Sequence, residues 1–241
     1  MARPVLMLLP GLLCDARVWR DQQAVLAERY DCRVPDWREQ GSITAMAAQV
    51  LAEAPGGPFA LAGHSMGGRV ALEVLRMAPH RVLRLGLLDT GVDPRPPGDA
   101  GAAEEAGRMA LVELARREGL RAMGRQWARG MVHPSRLGTP LFEEILDMIE
   151  RRSQAAYEAQ IRALLARPDA RAVLAGARCP VLLLCGRQDQ WSPLARHEQM
   201  HSLAPQSRLV VVEDSGHMTT MEQPRAVTAA LLEWLEADHA R

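Results

Sequence analysis

Phe59-Ala60-Leu61-Ala62-Gly63-His64-Ser65-Met66-Gly67-Gly68 carries the chain from an apolar run into a helix-patterned segment through Val70, Leu72, Val74 and Leu75, and the residues in its middle decide the fold. A serine set on a sharp strand-to-helix turn takes a strained backbone conformation. The positions two before and two after it must be small because the turn leaves no room for side chains. The helix that follows points its positive end at the hydroxyl. A GxSxG pattern alone is also met in ordinary tight turns; with a strand before and a helix after, it marks Ser65 as a nucleophile. His64 lies too close in sequence to reach the Ser65 hydroxyl and is read as a packed scaffold residue.

Outward from this turn, short β-rich runs alternate with helical patterns, the mark of a parallel sheet with crossover helices. The strand candidates are Val5 to Leu9, Cys32 to Val34, Phe59 to Ala62, Leu83 to Leu88, Val181 to Cys185 and Leu209 to Val212. Several are continuously apolar, as strands covered on both faces should be. Helical stretches fall around Ile43 to Glu53, Gly67 to Met77, Pro193 to Ser202 and Ala226 to Ala237. One region breaks the alternation: after the Pro- and Gly-rich stretch Val92 to Asp99, the pattern to about Arg167 is helical only. The expected fold is α/β, a mostly parallel sheet with helices on both faces, with a core of residues 1–92 and 171–241 and a helical cap insertion over 93–170. The cap cannot bury its apolar stripes alone and should dock over the sheet edge where ligands bind.

A serine hydroxyl needs a histidine to take its proton and a carboxylate to fix that histidine's tautomer. Asp214-Ser215-Gly216-His217-Met218 follows the last strand, so His217 is the expected base. His80, His133, His197, His201 and His239 are read as surface residues. Gly186-Arg187-Gln188-Asp189 follows the strand Val181 to Cys185 and makes Asp189 the expected acid; Asp89, after the preceding strand, is the rival. The order Ser, Asp, His favours Asp189. Asp89 is then expected to cap the loop into the insertion, and Asp214 to brace the histidine loop. The backbone N–H groups of Met66 and of Leu12, just beyond Pro10-Gly11, are the expected oxyanion donors. Leu13, Met66, Met123, Trp127, Trp191 and Met218 are expected to line an uncharged substrate pocket, so the substrate should present a neutral, apolar group of short to medium length. In the insertion, Leu120, Met123, Trp127 and Met131 fall at helical spacing opposite Arg117, Arg121, Arg125 and Arg129. That arginine stripe is read as a solvated face, or alternatively as a handle for an anionic, carrier-linked substrate.

Composition narrows the classes. Lys+Arg and Asp+Glu balance at 29 each, with no one-sign segment, so nothing points to nucleic acid. The chain has no lysine, which removes Schiff-base and P-loop lysine chemistry. No GxGxxG follows the first strand, which disfavours a dehydrogenase. Cys14, Cys32, Cys179 and Cys185 lack paired or zinc-type spacing and are expected to be free thiols in a reducing cytoplasm. No metal or cofactor is implied, and no membrane span. Val5 to Leu9 after Arg3 reads as a strand, since Pro10-Gly11 interrupts it far short of a span.

With these motifs, Leu9-Pro10-Gly11-Leu12, Gly63 to Gly68, Gly186 to Asp189 and Gly216-His217, the chain resembles the α/β-hydrolase superfamily, specifically its capped, esterase-like bacterial members. The resemblance covers about residues 3–92 and 171–241 and implies the same triad and oxyanion donors. It departs at Pro10-Gly11, where the family usually has His-Gly, and it begins at the family's third strand, implying about six strands. The function it implies is hydrolysis of short to medium carboxylic esters or lactones through an acyl-enzyme on Ser65. Carbon–carbon bond hydrolysis or perhydrolysis would use the same triad. A small-molecule receptor without turnover would use the same fold.

Overall fold

A computed structural model describes residues 3–237. Six strands, β1 (Val5–Leu9), β2 (Asp31–Arg33), β3 (Phe59–His64), β4 (Val82–Leu88), β5 (Val181–Gly186) and β6 (Arg208–Val212), form one sheet in the order β2-β1-β3-β4-β5-β6. Every pairing is parallel. β3 and β5 are buried along their whole length, because helices cover both faces of a parallel sheet. β3 runs two residues past the expected Ala62: Gly63 and His64 continue the ladder opposite Leu87 and Leu88. β2 starts one residue early, since Asp31 is in register with Val5.

The helices are α1 (Arg20–Leu26), α2 (Ile43–Glu53), α3 (Met66–Met77), α4 (Gly98–Glu118), α5 (Leu120–Trp127), α6 (Pro140–Glu150), α7 (Gln154–Leu165), α8 (Arg171–Ala175), α9 (Leu194–Leu203), α10 (Thr219–Glu222) and α11 (Pro224–Glu236). α2 packs on α3, and α1 on α11. Two serines start helices by accepting a backbone N–H: Ser42 from Ala45 and Ser153 from Ala156. No helix among the described residues is long and apolar enough to cross a membrane.

From β1 the chain moves outward to β2, then returns to β3 on the other side of β1. The strand order reverses there, so the loops leaving β1 and β3 diverge and open a crevice at their C-terminal ends. Pro10 to Leu13 and Ser65 lie at this switch point.

α4 to α7 occupy the stretch between β4 and β5. Arg151 pairs with Asp15, Arg152 with Asp36, and both Arg17 and Arg20 with Glu144, tying the helical stretch to the strands' loops. The arginine stripe does not lie on one helix. α4 ends at Gly119, whose φ of +86° an L side chain rarely adopts, so Arg117 belongs to α4, Arg121 and Arg125 to α5, and Arg129 to a 3₁₀ turn. Met131 likewise falls beyond α5.

Candidate active site

Ser65 sits at φ 54° and ψ −116°, a conformation costly for any residue with a side chain. The surrounding backbone enforces it. A Cβ on Gly63 would lie 2.2 Å from the Gly67 carbonyl oxygen, and one on Gly67 2.2 Å from the Leu9 carbonyl oxygen. The Ser65 N–H donates to Leu88 O at 2.8 Å, and the Thr90 hydroxyl donates to Ser65 O at 2.6 Å.

Loops at the ends of β5 and β6 bring two more side chains to this turn. His217 Nε2 lies 2.8 Å from Ser65 Oγ, and His217 Nδ1 lies 2.8 Å from Asp189 Oδ2. The other Asp189 oxygen accepts the Trp191 and Ser192 N–H groups at 2.8 and 2.9 Å. Burial would raise the Asp189 pKa, but the adjacent His217 and these N–H donors hold it below the ordinary carboxylate value. A charged Asp189 keeps the proton on Nδ1 and turns the Nε2 lone pair to the serine. Such an arrangement can draw the proton from Oγ as the oxygen attacks an electrophilic carbon.

Asp89, the rival acid, is buried with φ +50°. Its Oδ1 accepts from Gly186 N at 3.1 Å and its Oδ2 is bonded to the Thr219 hydroxyl. Instead of capping the loop into the helical stretch, it stitches the ends of β4 and β5 to the segment after His217. Burial, then repulsion from Asp189, raises its pKa well above the ordinary value.

The side chain of Asp214 is exposed and bonds to no group among the described residues; Glu222 braces the histidine loop in its place. Glu222 accepts from Gly216 N at 2.9 Å, Met218 N at 3.2 Å and His133 N at 2.7 Å. Two of those donors flank His217. Burial pushes the Glu222 pKa up against these hydrogen bonds.

The loop after β1 is pinned at three points. Pro10 O accepts from Trp37 Nε1 at 2.9 Å, Leu13 N donates to Gln160 Oε1 at 2.9 Å, and Cys14 N donates to Gly11 O at 3.2 Å. The Leu12 N–H is left without a protein acceptor among the described residues. Met66 opens α3, so its N–H has no partner within the helix.

A cavity of about 100 Å³ opens at Ser65, His217 and Leu12, small against common ligand sites. Met66, Trp127 and Trp191 line it, the two indoles 4.9 Å apart between ring centroids. Leu13, Met123 and Met218 do not reach it. All three are fully buried in the apolar core, because hydrophobicity selects for burial and does not say whether burial faces a cavity. The wall is also not uncharged: Arg69, Arg108 and Arg196 are part of it.

The model of the alpha/beta hydrolase family matches residues 6–231. The chain belongs to the alpha/beta hydrolase family. A pimeloyl-[acyl-carrier protein] methyl ester esterase of Aromatoleum aromaticum is 30% identical over 93% of this hydrolase and 95% of its own length. Among solved structures, a thermophilic esterase from Thermogutta terrifontis has a TM-score of 0.87 and 30% identity, covering 97% of this hydrolase and 90% of that chain. The enol-lactonase of Burkholderia xenovorans LB400 has a TM-score of 0.86 at 20% identity, covering 98% and 93%, and shares the fold.

Of the remaining histidines in this hydrolase, His80 is exposed and His133 and His201 are half-buried; His239 lies outside the described residues. His197 is fully buried, contrary to the surface reading. Its Nε2 accepts the Thr90 N–H at 3.3 Å, and burial lowers its pKa to about 4, keeping it neutral. His64 is buried as a scaffold residue: Nε2 donates to His217 O at 2.8 Å, and burial followed by the proximity of His217 lowers its pKa to about 3. All four cysteines are free. Gln160 carries no sequence signal beyond its type, since it acts on Leu13 across 147 residues of chain; Glu222 reaches His133 across 89 residues, but its position four residues after Met218 and six after Gly216 puts it within local reach of the histidine loop.

Proposed function

We propose that this hydrolase cleaves carboxylic esters of short acyl chains through an acyl-enzyme on Ser65. The observation that carries the reading is the unbroken chain of 2.8 Å hydrogen bonds from Ser65 Oγ through His217 to a charged Asp189. As Oγ bonds to the ester carbonyl carbon, its proton passes to His217 Nε2, and the carbonyl oxygen becomes an oxyanion. The free N–H groups of Leu12 and Met66 receive that charge. The C–O bond to the alcohol then breaks, and the leaving oxygen takes the proton from Nε2. Water, deprotonated by the same nitrogen, releases the acid and restores Ser65. Asp189 stabilises the imidazolium in both halves without taking its proton.

The small cavity lined by Trp127 and Trp191 favours short chains. The Aromatoleum aromaticum relative is a pimeloyl-[acyl-carrier protein] methyl ester esterase, which agrees with an ester substrate. A carrier-linked ester is a second reading with a narrower footing. Glu143, Asp147 and Glu150 already hold Arg121, which leaves Arg125, 61% exposed and 3.9 Å from Glu143, to meet a carrier's anionic arm.

The test is a fluorophosphonate probe together with hydrolysis of p-nitrophenyl acetate. Labelling is expected on Ser65 alone, and Ser65→Ala is expected to lose both labelling and several orders of magnitude in rate while its circular dichroism is unchanged. Labelling elsewhere, or full turnover by the alanine variant, would overturn the reading.

A further inference from the structure

The wall of the cavity beside Ser65 includes three arginines that the ester-hydrolysis steps do not use. Arg69 stands one turn after Ser65 on α3, Arg108 comes from α4 and Arg196 from α9. Arg69 Nη1 donates to Asp93 O at 2.8 Å, and Arg196 Nη1 to Trp191 O at 2.9 Å. Both are bonds to neutral carbonyls, which orient the groups without neutralising them. Gly91 lies where the two meet: a Cβ there would be 2.7 Å from Arg196 Cδ and 3.3 Å from Arg69 Nη2.

The counter-charge falls short: Asp89, a carboxyl of the same cavity wall, has its pKa raised well above the ordinary value by burial and pairs with none of the three arginines. Glu104 takes Arg108 at 3.0 Å and Arg167, buried behind, at 2.6 Å. Against burial, which would raise it, these two arginines hold the Glu104 pKa down to about 2, so this carboxylate is fully committed. Asp93 attracts Arg69 from beyond ion-pair distance. Among the described residues no carboxylate lies within ion-pair distance of Arg69 or Arg196. Burial, and then repulsion from Arg167, Arg196 and Arg108, presses the Arg69 pKa down to about 9, which leaves it cationic at neutral pH. An arginine cannot escape such a setting by losing its proton, so clustered positive charge facing a cavity is stabilised by an anion that enters it.

We propose that the substrate is a short ester that carries a free carboxylate, on its acyl or its alcohol side, with that carboxylate bound by Arg69, Arg108 and Arg196 while the ester group lies at Ser65. This rests on the ester-hydrolase reading above and replaces the neutral substrate that the apolar pocket residues suggested. The guanidinium fork suits a carboxylate, donating paired N–H···O bonds to its two oxygens. The cavity volume of about 100 Å³ keeps the carboxylate a short chain away from the scissile carbonyl. Hydrolysis of such an anion consumes one water and releases one proton, giving a dicarboxylate and an alcohol where the charge is on the acyl side, or a carboxylate and a hydroxycarboxylate where it is on the alcohol side, so turnover is readable by pH-stat without a chromophore.

The experiment compares kcat/KM for matched esters. Monomethyl glutarate against methyl pentanoate places the charge on the acyl side, and acetoxyacetate against propyl acetate places it on the alcohol side. In at least one pair the anion is expected to exceed its neutral partner by about tenfold or more, and this ratio is expected to collapse in Arg69→Gln and in Arg196→Gln. Two substitutions on different helices guard against one misfolding, with thermal melts as the check. Independently of ester turnover, glutarate or glycolate is expected to slow fluorophosphonate labelling of Ser65 in the unmodified protein, and less so in the arginine variants. The proposal is overturned if neutral esters match or exceed the anions in both pairs, or if an anion preference survives in both folded arginine variants. Absence of any Ser65 labelling would instead refute the ester-hydrolase reading beneath it.

Discussion

Replacing Asp189 by asparagine tests the electrostatic logic of the site at a single atom. Oδ1 of Asp189 accepts two backbone N–H groups, from Trp191 and Ser192, while Oδ2 faces His217 Nδ1. An asparagine has one acceptor oxygen, and the two N–H donors claim it. Its amide NH₂ is thereby turned toward Nδ1, which must become an acceptor, so the imidazole proton moves to Nε2 and points at the Ser65 hydroxyl. The base is then in the wrong tautomer, and the imidazolium loses its carboxylate. A loss of about 10³-fold or more in kcat/KM follows, roughly 4 kcal/mol of transition-state stabilisation. Asp89→Asn is the matched control. Asp89 has its pKa raised by burial and by Asp189, so the amide resembles the protonated side chain, and a change of only about threefold is expected. The assay is p-nitrophenyl acetate hydrolysis at pH 7, with rates of fluorophosphonate labelling to separate acylation from deacylation. An Asp189→Asn variant retaining more than about a tenth of the activity, or an inactive Asp89→Asn, would refute the reasoning.

Glu222→Ala strands three N–H donors around the histidine loop. At about 1 kcal/mol or more for each donor left unpaired, a fall in Tm of roughly 6–12 °C is expected in thermal melts, with a smaller fall for Glu222→Gln, and a shift under about 2 °C would count against the brace. The Glu104 pKa is held down to about 2 in the fold against an ordinary 4.5. A depressed folded-state pKa stabilises above the unfolded value, so its contribution is complete above about pH 4.5 and is lost as the pH falls through about 2. The Tm gap between the unmodified protein and Glu104→Gln should therefore narrow from pH 7 to pH 3, and a gap that does not depend on pH would exclude this linkage. Trp127→Ala removes one of the two indoles that close the cavity, so the preference among p-nitrophenyl esters should move to longer acyl chains. An unchanged chain-length profile would mean that Trp127 does not limit the pocket.

The features legible in the sequence were those written in local backbone physics. Gly63, Ser65 and Gly67 announce the turn because a Cβ at either glycine would strike main-chain atoms, a constraint that only residue type can meet. The apolar runs of β1, β3, β4 and β5 announce a sheet covered on both faces, and the loops after β5 and β6 place Asp189 and His217 at the edge where Ser65 stands. What tertiary structure alone decided is set by charge and hydrogen bonding across long stretches of chain. Glu222's bond to His133, Asp89 as a stitch between strand ends, and His197 as a buried acceptor all depend on partners that sequence spacing does not reveal. Leu13, Met123 and Met218 were apolar enough to be buried, yet only packing could show that they face the core instead of the cavity. Arg69, Arg108 and Arg196 belong to three separate segments and to none of the motifs read from the sequence. Folding brings them to one small cavity with too few carboxylates to balance them, because Coulomb interactions depend on distance through space and not on separation along the chain.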